Sequence, residues 1–214
     1  MRYLIVCGGK IDKEFGLNEI KTDGIDAIIA ADSGMDFLYE NGVTPDIIVG
    51  DFDSTTTNAL EYFERKGQTE IRRLNPIKDD TDTEYAIRLA ISEGARSIVL
   101  LGATGSRIDH VLGNISLLGI GLESGTDISI IDTNNRIRMA DKPVTIEKSA
   151  QYGRFVSLIA LTDDMEVRLY GFKYPVTDYS FDRFTSLGIS NEIVDDHALI
   201  DIHRGKFIII ESKD

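Results

Sequence analysis

Short apolar β-type runs alternate with longer amphipathic segments through the first part of the chain. Six of these runs predict strands: Tyr3 to Cys7, Ala27 to Ala31, Ile47 to Val49, Glu70 to Leu74, Ser97 to Leu101 and Ile128 to Ile131. Two intervening segments predict helices most clearly. Thr81 to Glu93 opens with Thr81-Asp82-Thr83-Glu84, the spacing of a capping box, and is followed by Gly94, where a C-cap glycine belongs. Ile108 to Leu122 places Ile108, Val111, Leu112, Ile115, Leu118 and Leu122 on one stripe. Strands alternating with helices imply a mostly parallel α/β sheet.

The pattern changes near Thr133-Asn134-Asn135. Short strand-like pieces broken by turn residues follow: Arg136 to Met139, Val144 to Ile146, Phe155 to Leu161, Glu166 to Tyr170, Glu192 to Val194, Ala198 to His203 and Lys206 to Glu211. Two domains are therefore expected, an α/β domain over 1–132 and an all-β domain of sandwich type over 133–214.

Composition narrows the function classes. The 214 residues carry 23 Lys+Arg against 36 Asp+Glu, a formal charge of −13, so phosphate backbones and anionic lipid are repelled. Neither nucleic acid nor membrane is expected as a partner, and an anionic substrate needs local cations or a metal. The N-terminal apolar stretch is too short for a signal peptide and reads as the first strand. A single cysteine, Cys7, cannot form an intramolecular disulfide and sits in an apolar run, which suits a reducing, cytoplasmic setting.

Open α/β sheets bind ligands beyond the carboxyl ends of their strands, and here those ends carry acids and glycines. They read Gly8-Gly9, Asp32-Ser33-Gly34, Gly50-Asp51-Phe52-Asp53-Ser54 and Gly102-Ala103-Thr104-Gly105-Ser106-Arg107-Ile108-Asp109-His110, with Asp79, Asp80 and Asp82 before the helix that follows the fourth strand. Asp51 and Asp53 flank one residue, and carboxylates about 5 Å apart repel by roughly 3 kcal/mol at an effective dielectric of 20. An oxygen-only donor set without His or Cys favours Mg²⁺. Read alone, the same residues also fit a solvated turn with Asp53 or Ser54 as helix cap, and Asp82 fits a first-turn acid opposing the helix dipole. Lys78 is either a surface lysine or a phosphate contact. The Gly102 to His110 segment matches neither standard nucleotide fingerprint, yet a glycine-rich turn entering a helix can cradle phosphate, and Arg107 adds a cation.

Four segments together, Ala31-Asp32-Ser33-Gly34, Gly50-Asp51-Phe52-Asp53-Ser54, Thr81-Asp82-x-Glu84 and Gly102 to His110, resemble the thiamine pyrophosphokinase family in order and spacing, and Gly188-Ile189-Ser190-Asn191 matches its late Ser-Asn motif. The resemblance covers nearly the whole chain. It implies an α/β domain followed by a β-sandwich, a homodimer with active sites at the subunit interface, and transfer of pyrophosphate from ATP to thiamine. It further implies Mg²⁺ on Asp51, Asp53 and Asp82, with these and Asp109 as the catalytic set. ATP is assigned to Asp32, Lys78, Thr104, Gly105 and Arg107, and thiamine to Asp109, Ser190 and Asn191. Ser33 and Ser106 stand where many relatives have glycine. No Trp is present to stack on the pyrimidine, so Tyr174 is a candidate, with a place in the sandwich core as its other reading. Without the resemblance, the residues leave open another Mg²⁺-dependent phosphotransferase or phosphohydrolase, and a nucleotide-binding module without catalysis.

Overall fold

The computed structural model describes residues 1–52, 58–75, 80–163, 165–181 and 184–214, leaving aside the side chains of 178–181. Asp53, Ser54, Lys78 and Asp79 lie outside the described residues. The chain forms two compact units, Met1–Thr133 and Asn134–Asp214.

The first unit contains strands β1 (Arg2–Val6), β2 (Ala27–Ala31), β3 (Ile47–Gly50), β4 (Glu70–Arg73), β5 (Ser97–Leu101) and β6 (Asp127–Ile131), with helices α1 (Lys13–Ile20), α2 (Gly34–Glu40), α3 (Ala59–Lys66), α4 (Asp82–Ser92) and α5 (Ile108–Ser124). Its strands run in the order β6-β5-β1-β2-β3-β4, and every pairing is parallel. The chain steps outward from β1 through β4 on one side and restarts at β5 on the other. The loops leaving β1 and β5 therefore diverge and open a crevice between them, the topological switch point of such a sheet.

Local chemistry sets the boundaries that matter for this crevice. Thr81 caps α4 by accepting a hydrogen bond from the Glu84 backbone N–H at 3.2 Å, and Gly94 takes the left-handed conformation after the helix at φ +91°. The central strands are buried on both faces, as their continuous apolar runs require: Leu4, Ile5, Val6, Ile29, Ala30, Ile48, Val49, Ile98 and Leu100 are all buried. The α5 stripe departs from expectation. Leu118 is buried, but Ile108 and Leu112 are 65% and 59% exposed. The periodicity marks an apolar face correctly, but the chain's own fold covers only the later part of it.

The second unit contains β7 (Asn135–Ala140), β8 (Val144–Glu147), β9 (Phe155–Ala160), β10 (Met165–Tyr170), β11 (Val176–Phe181), β12 (Asn191–Glu192), β13 (His197–Arg204) and β14 (Phe207–Ser212). In this unit the strands form two antiparallel layers, β12-β9-β14-β7 and β11-β10-β13-β8. Side chains alternate in and out along each strand, so Met165, Val167 and Leu169 of β10 and Ala198, Ile200 and Ile202 of β13 meet Val156, Leu158, Phe207 and Ile209 of the other layer in one core. This is a sandwich. β11 escapes the sequence pattern because Val-Thr-Asp-Tyr-Ser-Phe mixes polar and apolar positions.

Candidate functional site

A cleft of about 880 Å³ opens in the first unit at the switch point. The loop after β1 lines it with Gly8, Gly9 and Lys10, the end of β2 with Asp32 and Ser33, the first turn of α4 with Asp82 to Glu84, and the loop entering α5 with Thr104 to Arg107. Backbone segments approach closely at its floor. A Cβ on Gly9 would run into the carbonyl oxygens of Gly102 and Thr104, so only glycine fits there.

Three acids converge beside this cleft. One carboxylate oxygen from each of Asp32, Asp51 and Asp82 lies within 4.8 Å of the others, and all three residues are half-buried. The trio differs in membership from the sequence assignment: Asp32, assigned to ATP, joins Asp51 and Asp82, and Asp53 is outside the described residues. At that separation each pair of carboxylates repels by roughly 3 kcal/mol at an effective dielectric of 20. Two positions around the trio are strained. Asp32 has φ +49° and Phe52 has φ +62°, left-handed conformations that cost a non-glycine residue about 1 kcal/mol or more. Asp32 is nevertheless anchored, because its backbone N–H extends the sheet ladder to the Val49 carbonyl at 2.8 Å. Like-charge repulsion and backbone strain at one spot mark a place shaped for something other than stability.

The glycine-rich loop on the opposite wall is held from behind. Asn114 Nδ2 donates to the Ala103 carbonyl at 2.8 Å, and Thr104 Oγ1 donates to Asp132 Oδ2 at 3.0 Å. Thr104 therefore spends its hydroxyl on Asp132 and offers the cleft its backbone, as Gly105 does. Arg107 is exposed at the mouth, where its guanidinium grips Asp109 through two bonds of 3.2 and 2.6 Å. That pairing, helped by the His110 backbone N–H, holds the Asp109 carboxyl down at about 2. A carboxyl this acidic is a poor proton acceptor near neutrality, so Asp109 suits orientation better than general base catalysis. A depressed carboxyl contributes above its ordinary value near 4 and loses that contribution as pH falls through about 2, so between pH 5 and 9 it stays ionised. Asp109→Asn is accordingly expected to lower the rate without moving either limb of the pH profile of kcat/KM; a displaced limb would make Asp109 the titrating group.

Cys7 lines the cleft floor yet is buried, and burial pushes its thiol up to about 11 against the opposing hydrogen bond from Thr83 Oγ1. It should resist iodoacetamide in the native protein at pH 8 and react fully in urea; rapid native labelling would contradict this burial. Sequence reasoning missed Lys10, Thr83, Asn114 and Asp132. Lys10 was legible, since it follows the first strand as Asp32 follows the second, whereas Asn114 and Asp132 act on backbone or on a neighbouring side chain and carry no local signal.

In the second unit, Ser190 is exposed and has φ +58°. Asn191, assigned to ligand contact from sequence, is only 6% exposed, and its carboxamide turns to backbone instead: Oδ1 accepts from the N–H groups of Tyr174 and Glu192 at 3.0 and 2.9 Å, and Nδ2 donates to the Tyr174 carbonyl at 2.8 Å. Tyr174 is 61% exposed and so is not a core tyrosine.

These features define a class: a parallel α/β domain with an acid-lined cleft at its strand ends, followed in the chain by a β-sandwich. The sequence model described as "Thiamin pyrophosphokinase, catalytic domain" matches residues 21–130, and that described as "Thiamin pyrophosphokinase, vitamin B1 binding domain" matches residues 143–207. The thiamine pyrophosphokinase of Bacillus subtilis (strain 168) is 34% identical over 188 residues, covering 87% of each chain. The crystal structure of a Bacillus subtilis thiamine pyrophosphokinase superposes with a TM-score of 0.89 at 32% identity over all of both chains. That of the Geobacillus thermodenitrificans protein gives 0.86 at 29%, covering 100% of this chain and 98% of the other. This chain belongs to the thiamine pyrophosphokinase family.

Proposed function

We propose that the chain transfers the terminal pyrophosphoryl group of ATP to the hydroxyl of thiamine, giving thiamine diphosphate and AMP. The observation that carries this reading is the cleft of the first unit, where the trio Asp32, Asp51 and Asp82 faces a glycine-rich loop carrying Arg107, in a chain of this family. Three carboxylates within 4.8 Å, with no nitrogen or sulfur among them, suit a hard divalent cation, and Asp32, Asp51 and Asp82 would hold Mg²⁺. When bound, the ion supplies positive charge against phosphate oxygens. The family resemblance alone adds Asp53 to this set and Lys78 to the ATP contacts.

The chain's own groups supply position and charge. The backbone of Thr104 and Gly105 cradles phosphate, and the Arg107 guanidinium meets phosphate oxygens at the cleft mouth, where it also fixes Asp109. Asp109, ionised across the neutral range, orients the thiamine hydroxyl. That oxygen attacks the β-phosphorus in line, the bond from this phosphorus to the α–β bridging oxygen breaks, and AMP leaves with the electron pair while the hydroxyl proton passes to solvent. From the second unit, Ser190 is the candidate thiamine contact, within the segment matched as vitamin B1 binding.

The homodimer belongs to the same proposal. It is supported by Ile108 and Leu112, two large apolar side chains left exposed on α5 beside the cleft. A cytoplasmic setting is supported by the buried unpaired thiol of Cys7. The function is tested by incubating the protein with ATP, Mg²⁺ and thiamine and separating the nucleotides, with a control lacking thiamine. AMP formed in step with thiamine diphosphate, and only with thiamine present, supports the reading; ADP or inorganic phosphate as product overturns it in favour of another phosphotransferase or a hydrolase.

A further inference from the structure

We propose that Ser157 and Asn191 are positioning residues that hold Ser190 in its left-handed conformation and so set the affinity of the second unit for thiamine. The inference rests on the reading that Ser190 meets thiamine.

Ser157 lies on β9 between Val156 and Leu158, both in the sandwich core, so its side chain points to the other face of that layer, with Phe155 and Ile159. Ile159 on that face is 37% exposed, whereas Ser157 is 7% exposed. The segment before β12 accounts for the difference. The Gly188 carbonyl accepts from the Leu158 N–H at 2.8 Å, and the Ser190 N–H donates to Ser157 Oγ at 3.0 Å. The serine hydroxyl thus satisfies a backbone donor at the one residue of this segment whose φ, +58°, is unfavourable for a side chain.

Asn191 fixes the following position. Its carboxamide reads Tyr174 as a strand partner would, taking the N–H and giving to the carbonyl, and it also accepts from Glu192 N–H. The Lys173 N–H bonds the Glu192 carbonyl at 2.8 Å, and Phe172 and Ile193 form a bridge, so the pairing of the two segments continues for two residues beyond Asn191. Neither Ser157 nor Asn191 has exposure enough to meet a ligand. What they hold at the surface is Ser190, which is exposed and whose hydroxyl makes no hydrogen bond among the described residues. A strained, exposed serine held by two buried side chains is arranged for presentation, since a glycine would occupy the same backbone without strain.

The test is steady-state kinetics of the full-length protein with thiamine and ATP varied separately, alongside melting temperature. Ser157→Ala is expected to raise the KM for thiamine about tenfold and leave that for ATP within about twofold, while Ser157→Thr, which keeps the acceptor, stays near the parent. Asn191→Asp keeps both accepted bonds but loses the donor to Tyr174, and is expected to raise the thiamine KM as well. A fall in melting temperature or kcat with both KM values unchanged in Ser157→Ala and Asn191→Asp would mean a merely structural role and overturn the inference. If Ser157→Ala does not fold, Asn191→Asp decides alone. Ser190→Ala separates the two readings. If it leaves the thiamine KM unchanged, thiamine does not meet Ser190 and the underlying reading fails. If it raises that KM while Ser157→Ala and Asn191→Asp do not, only the positioning inference fails.

Discussion

Asp32→Asn and Asp51→Asn are each expected to lower kcat about a thousandfold while the melting temperature holds or rises. The trio's oxygens lie within 4.8 Å of one another, and the isolated protein bears their mutual repulsion. Removing one negative charge relieves part of this repulsion, so stability holds or gains while the cation site loses a ligand. Asparagine is the informative replacement at Asp32, because it tolerates the left-handed conformation at φ +49° about as well as aspartate, leaving charge as the only large change. A thousandfold loss corresponds to about 4 kcal/mol of transition-state stabilisation, the scale of one essential electrostatic contact. AMP formation at saturating substrates, measured beside a thermal scan, checks both halves. Turnover within a few-fold of the parent would remove the substituted acid from the site.

Glu211→Ala is expected to destabilise the second unit by about 3 kcal/mol. Glu211 is completely buried on β14. It accepts two bonds from Arg136 at 2.9 and 2.7 Å, one from Arg138 at 2.9 Å and one from the Tyr152 N–H at 2.9 Å. Removing one partner of a buried ion pair typically costs about 3–5 kcal/mol, because the other charge loses its counterpart after paying for desolvation. Here the side chains of Arg136 and Arg138 keep 28% and 24% exposure, so water takes over part of the compensation and the lower end applies. A shift of the urea midpoint at unchanged slope reads this directly. Glu211→Gln retains the shape and the accepting oxygen and should fall between the two; a midpoint within experimental scatter of the parent for Glu211→Ala would show the ion cluster to be energetically idle.

Much of this architecture was legible because hydrophobic period and strand length coincide. The parallel strands β1, β2, β3 and β5 are built on continuous apolar runs, β6 on Ile128, Ile130 and Ile131, and α4 announces itself through Thr81 and Gly94. What stayed hidden has common physical causes. β11 mixes polar and apolar positions without a clear period, and β12, expected at Glu192 to Val194, occupies Asn191–Glu192. The α5 stripe was visible, but periodicity does not reveal how far along the helix the chain covers it, so Ile108 and Leu112 emerge as exposed.

The acids of the cleft were found by one rule, that ligand residues follow parallel strands. The same rule could not sort them, because Asp32 reaches Asp51 and Asp82 through a left-handed turn that a non-glycine residue does not advertise. Phe52 and Ser190 share this silence. Asn191 shows another limit: the motif marks it, but the bonds its amide makes to the backbone of Tyr174, distant in sequence, leave no mark there. Thr104 is similar, since its hydroxyl is taken by Asp132 at the end of β6.

Pyrophosphoryl transfer from ATP to thiamine in the cleft that holds the acid trio is tested by following ATP radiolabelled at the β-phosphorus through a single turnover with Mg²⁺ and thiamine, in the parent protein and in Asp51→Asn. All label recovered in thiamine diphosphate with unlabelled AMP, and neither formed by the variant, is the predicted result. Label recovered in ADP, or transfer undiminished in Asp51→Asn, would contradict it.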